Sequence, residues 1–128
     1  MFVRFVIKDI DPDSGRRQGV FQAARTLREA GVMSAPDIEY LDSIRNWFNL
    51  HLEKPTRLSV SSRDHAKAQA LSWFKPAATD HIAKMREFQE LMERYGVVVE
   101  MIKARRLGYV LYEDEFQVAA YPFNDTPT

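Results

Sequence analysis

The sequence predicts an α+β domain: an antiparallel sheet of about four strands, an N-terminal strand plus a C-terminal meander, packed on one face by about four helices. Three observations predict it. Phe2-Val3-Arg4-Phe5-Val6-Ile7 opens the chain as an almost unbroken β-branched and aromatic run. The middle of the chain repeats its apolar residues at three- and four-residue steps, the period of an amphipathic helix. After Val97 the pattern returns to short β-rich segments between charged turns.

The opening run reads as a strand covered on both faces, because it lacks the polar alternation of a half-exposed one. Asp11, Pro12, Asp13, Ser14 and Gly15 then form a loop. From Arg16 to Ala30, Val20, Phe21, Ala24 and Leu27 mark a first helix that Gly31 ends. Ser34, Pro36 and Asp37 supply a side-chain cap, a preset first turn and an acid at the N-terminus of a second helix. That helix carries Ile38, Leu41, Ile44, Trp47 and Phe48 and ends before Pro55. Thr56 to Ser61 alternates as a short strand. Ser61 and Asp64 repeat the cap spacing for a third helix lined by Ala66, Ala70, Trp73 and Phe74. The fourth helix is the clearest, with Ala78, Ile82, Met85, Phe88, Met92 and Tyr95 on one stripe before Gly96. Strands follow at Val97 to Lys103, Tyr109 to Tyr112 and Phe116 to Tyr121. Residues 1–123 form one domain, and 124–128 a frayed tail.

Composition narrows the function classes. A chain of 128 residues, 45% hydrophobic, can close one core without a metal or a disulfide. Eighteen Lys and Arg balance eighteen Asp and Glu, so no global field draws the chain to phosphate backbones, and nucleic acid is disfavoured as a partner. A net charge near zero also lowers the barrier to self-association and admits a homodimer. Cysteine is absent, which excludes thiol catalysis and cysteine-ligated metals and fits a cytoplasmic address. The first apolar run is broken by Arg4 and followed by Lys8 and Asp9, unlike a signal peptide or a membrane span.

Candidate functional residues are few. No Gly-rich phosphate loop, nucleophile elbow or paired metalloprotease histidines are present, and the sequence predicts no cofactor. Of His51, His65 and His81, two follow an acid, in Asp64-His65 and Asp80-His81. Neighbours on a helix diverge by about 100°, so the pairs read as first-turn polar residues and no metal site is predicted. Arg4 is the anomaly, since a charge within an apolar strand must be paired, reach solvent or line a cavity. Glu100, on a strand expected to lie beside it, is the expected partner, with anion binding as the alternative. Trp47-Phe48 and Trp73-Phe74 are tandem aromatics that one narrow helical stripe cannot bury together, so one member of a pair is expected at a pocket or interface. Arg105 and Arg106 form a basic turn, and Glu113, Asp114 and Glu115 an acidic one at the opposite end of the sheet.

Ser72-Trp73-Phe74-Lys75 through His81-Ile82 to Met85, and Gly108-Tyr109-Val110-Leu111-Tyr112-Glu113-Asp114-Glu115-Phe116-Gln117-Val118, resemble an uncharacterised family of short bacterial proteins. The resemblance implies a bacterial cytoplasmic protein and implies no activity. Two readings follow from the residues. The first is a non-enzymatic binding or interaction domain, whose partner is a protein or small ligand met through Arg4, Trp47, Trp73, Phe74, Arg105, Arg106 or Tyr112. The second is a small hydrolase or transferase using Arg4, His65 or His81 with Tyr112, Glu113 and Asp114.

Overall fold

The computed structural model describes residues 1–54 and 69–128. Among them the elements run β1 (Phe2–Ile10), β2 (Arg17–Gly19), α1 (Val20–Glu29), α2 (Ala35–His51), β3 (Leu71–Phe74), α3 (Thr79–Glu93), β4 (Glu100–Ala104), β5 (Tyr109–Glu113) and β6 (Gln117–Tyr121). The α+β class and the antiparallel sheet are as expected, but among the described residues the sheet has six strands and is accompanied by three helices. The expected strand at Thr56 to Ser61, the start of the expected third helix, and His65 lie outside the described residues.

Three local expectations are corrected. Arg17–Gly19 does not begin the first helix; it turns back on β1, with Val6 opposite Gly19 and Ile10 opposite Arg17. The Asp11 carboxylate makes this turn by accepting from the Asp13 and Ser14 amides. Trp73 and Phe74 stand on strand β3, not on a helix. A strand sends successive side chains to opposite faces, so it buries Trp73 on one side and offers Phe74 to the other. The C-terminal strands form no meander, because β4 leaves β5 and pairs along the whole first half of β1, from Phe2↔Ala104 to Val6↔Glu100. Only β5 and β6 remain as a hairpin.

This pairing makes the sheet fork. Val3 is opposite both Phe74 of β3 and Lys103 of β4, and Val6 is opposite both Gly19 of β2 and Glu100 of β4. A strand has two edges, so β2 and β3 share the edge that β4 does not use. Between them, at Arg4 and Phe5, that edge of β1 faces a gap among the described residues.

Both faces of the sheet are covered, which explains why β1 reads as a nearly continuous apolar run. On one face Val3, Phe5 and Ile7 meet Val20 and Ala24 of α1, Leu41, Ile44 and Phe48 of α2, and Met85, Phe88, Leu91 and Met92 of α3. The expected stripe of the last helix therefore does face the core, with Phe88 fully buried and its ring edge-on to Phe21 at 4.9 Å. The Ser34 cap and Pro36 start α2 where the sequence places them. On the other face Val6, Leu71, Trp73, Ile102, Val118 and Ala120 pack beneath Leu107. Residues 124–128, expected as a tail, carry specific contacts: Thr126 Oγ1 donates to the Arg106 carbonyl, and Arg17 Nε donates to the Thr128 oxygen.

Candidate functional site

The fork in the sheet opens into a cleft of about 900 Å³. Arg4 and Phe5 of β1, Gly19 of β2, and Leu71, Ser72 and Trp73 of β3 form its floor and sides, while Arg45, Phe48 and Asn49 of α2 overhang it. The lining is mixed, aromatic at depth and polar toward the rim, as small-molecule sites commonly are.

Arg4 is the sharpest feature of this cleft. It is 8% exposed, and its Nη2 donates to the Arg17 carbonyl at 2.7 Å. Its Nη1 is buried without a hydrogen-bond partner among the described residues. Burial first, and then the nearby positive Arg17, lowers the guanidinium pKa to about 10, with Asp11 opposing; the group is still charged at neutral pH. The expected Arg4–Glu100 pair does not form. Glu100 stands opposite Val6, two residues along β1, and its carboxylate is bound instead by Arg17 at 2.7 Å.

Trp73 shares the setting. Val3 is opposite Phe74 and both pack toward the helices, so the next residues on their strands, Arg4 and Trp73, leave the sheet on its other face. Trp73 is 1% exposed, and its indole Nε1 also lacks a partner among the described residues. Two buried donors thus line one cleft. Its acidic residues are otherwise engaged or lie at the rim. Asp11 accepts from its own loop and from Gln22, Asp42 pairs with Arg28 at 2.6 Å, and Glu53 is exposed.

His81 sits elsewhere, in the first turn of α3. Its Nε2 donates to the His51 carbonyl at 2.7 Å, because a carbonyl can only accept, and Nδ1 is buried without a hydrogen-bond partner among the described residues. The ring lies 4.4 Å from Phe116 and 5.1 Å from Trp47, and with them lines a separate cleft of about 450 Å³. Trp47 is half-buried there, with Lys84 Nζ 5.6 Å from its ring centre. Phe74, half-buried, faces the helices and lines the fork cleft.

Tyr112 and Asp114 form a third group, at the β5–β6 turn. Tyr112 donates to Asp114 Oδ2 at 2.8 Å, and Asp114 also accepts from the amides of Phe116 and Gln117 and from the Gln117 side chain. The hydrogen bond to Asp114, more than burial, pushes the Tyr112 pKa up to about 12. Desolvation would raise the Asp114 carboxyl, but its four donors outweigh it and hold the pKa below the usual carboxylate range. Every oxygen of this carboxylate is therefore occupied in closing the turn. Glu113 turns away from it, to Lys75 at 2.6 Å.

Arg105 and Arg106 are exposed on the loop before β5, with the Arg106 guanidinium 4.8 Å from the Phe123 ring centre. The clefts divide the residues read from the sequence. Arg4, Trp73 and Phe74 meet at the fork, while His81 and Trp47 line the smaller cleft. Asp114 lines a third, beside the end of α2, and Tyr112 lines none of the three. Among the described residues no group of three or more His, Asp or Glu side chains converges as metal ligands would. Among them, too, no helix is long and apolar enough to cross a membrane. Arg45 and Asn49 were not singled out by the sequence; only the fork makes their part of α2 a cleft wall.

Compared with known proteins, the chain matches no family model, no curated sequence and no solved structure.

Proposed function

We propose that this protein is a small non-enzymatic binding domain that takes its ligand in the cleft at the fork of the sheet. The observation that carries this reading is the gap at Arg4 and Phe5, where the described residues leave an otherwise doubly covered sheet open to a cleft of about 900 Å³. A closed sheet needs no such gap for stability, and buried polar donors beside it give a ligand something to orient on. Of the residues of the hydrolase reading, Arg4, His65 or His81 with Tyr112, Glu113 and Asp114, Arg4 lines the fork cleft, His81 the smaller one, and Asp114 is held by four donors in the β5–β6 turn, while His65 lies outside the described residues.

The proposed setting is the bacterial cytoplasm, which the sequence resemblance implies. The same reading includes a homodimer joined along β5, which ends the sheet among the described residues and leaves Val110 51% exposed. Sedimentation equilibrium of wild type and Val110→Lys reads this directly, with a concentration-dependent dimer expected only in wild type.

Fragment screening by ¹⁵N chemical-shift mapping tests the site itself. Bound fragments are expected to move the amides of Phe5, Gly19, Phe48 and Ser72 and to be recovered unaltered. Shifts confined to other surfaces, or fragments chemically converted on incubation, would overturn the reading.

A further inference from the structure

We propose that the fork cleft recognises an oxyanion, a carboxylate or phosphate group, seated between Arg4 Nη1 and Trp73 Nε1. The inference rests on the cleft being a ligand site and names the chemistry of what it takes.

Arg4 and Trp73 are the neighbours of the Val3–Phe74 pair on β1 and β3, project to the same face, and both line the cleft. Arg4 is 8% exposed and Trp73 1%, and each holds one N–H with no partner among the described residues. Guanidinium and indole are donor-only groups, so what completes them must be acceptor-rich. A neutral acceptor would satisfy the hydrogen bonds and leave the charge uncompensated. The ion pairs among the described residues are Arg17–Glu100, Arg28–Asp42, Lys75–Glu113, Lys84–Glu87 and Arg94–Asp37, and Arg4 belongs to none. Asp11 lines the same cleft and favours the charged form of Arg4, but it makes no ion pair with it and is engaged by its own loop and Gln22. A buried cation without a paired acid is costly, and an oxyanion supplies both the charge and the lone pairs. Arg4 Nη2 is already fixed on the Arg17 carbonyl at 2.7 Å, so the guanidinium is held in place before the anion arrives. The cleft extends beyond this corner to Phe48 and Arg45, room for an organic body attached to the anionic end.

The chain has two tryptophans, Trp47 and Trp73, so its ¹H–¹⁵N spectrum carries two indole signals, which Trp47→Phe assigns. Acetate, inorganic phosphate and neutral acetamide are titrated into the protein at constant ionic strength in chloride. The expected result is a saturable downfield shift of the Trp73 indole N–H with acetate or phosphate but not with acetamide, while Trp47 stays in place. Whether acetate or phosphate binds more tightly assigns the anion to the carboxylate or phosphate class. Arg4→Met is expected to weaken the response about tenfold or more, the effect of losing one strong charge-assisted hydrogen bond. If Arg4→Met fails to fold, the comparison of acetate with acetamide in wild type still decides. Equal shifts with acetamide would overturn the anion while leaving the cleft as a ligand site. A silent Trp73 signal with no movement at Phe5 or Gly19 would overturn the anion, and an additional failure of fragments to bind there would overturn the site.

Discussion

Arg17 and Glu100 meet at 2.7 Å across β1, on the two strands that flank it at Val6. The pair spans the central strand over the face that carries Arg4. Glu100 is 61% exposed in its side chain, so solvent screens the attraction. Glu100→Leu is expected to cost less than about 1 kcal/mol in urea unfolding. A loss of several kcal/mol would mean that Glu100 compensates Arg4 through a path other than the one seen.

Phe88 lies at the centre of the helix-covered core, fully buried and edge-on to Phe21. Phe88→Ala should cost about 3–5 kcal/mol, from lost transfer energy and the cavity left behind. Equilibrium denaturation measures it, and a loss below about 1 kcal/mol would show that the stripe faces elsewhere.

Asp114 makes stability depend on pH. Its folded-state pKa lies below the ordinary carboxylate value, so the folded form binds fewer protons than the unfolded chain near that value. The contribution is therefore present above about pH 4 and lost as pH falls through the folded pKa. Asp114→Asn should lower stability by about 1–2 kcal/mol at pH 7, since charge-assisted bonds to the turn are weakened. The difference should shrink toward pH 2, as thermal melts across that range would record. A constant difference would assign the effect to shape and not to charge.

Gly108 admits no side chain. Its φ is +124°, and a Cβ there would lie 1.9 Å from the Tyr121 carbonyl oxygen, against backbone that cannot swing aside. Gly108→Ala is expected to cost at least about 3 kcal/mol by separating Tyr109 from Tyr121 at the start of the hairpin. Circular dichroism and the melting midpoint test this; a variant as stable as wild type would refute the close approach.

The sequence made the long, strongly periodic or capped parts of the fold legible. Ser34, Pro36 and Asp37 place the start of α2, and the Met85, Phe88, Met92 stripe fixes the buried face of α3. What it hid depends on pairing. Arg17–Gly19 is three residues long and carries no alternation that could separate it from the helix it leads into. Trp73 and Phe74 lie i,i+3 and i,i+4 from Ala70 and so fit a helix as well as a strand, until β6 supplies Val118 opposite Trp73. For the site, Arg4 was conspicuous as a charge in an apolar run, but its neighbours were not. Which strand lies beside β1, and at what register, decides that Ile102 and not Glu100 is opposite Arg4, and no local pattern encodes that choice.

The shared edge of β1 also bears on how the chain acquires its fold. Phe2 is paired with Ala104 and Val3 with Phe74, so of the strands beside β1 only β2 is local, and β3 and β4 reach it from far along the chain. Contacts of such long sequence separation place folding toward the slow end for a domain of this size. Pulse-labelled hydrogen exchange should accordingly find the amides of β1 protected late, together with those of β4; early protection would contradict this order. Through that interval Phe2 to Ile7 is an unpaired apolar strand of the kind that aggregates, interrupted by a single positive charge. The residue that holds the binding corner in the finished protein is thus also a gatekeeper for the nascent one.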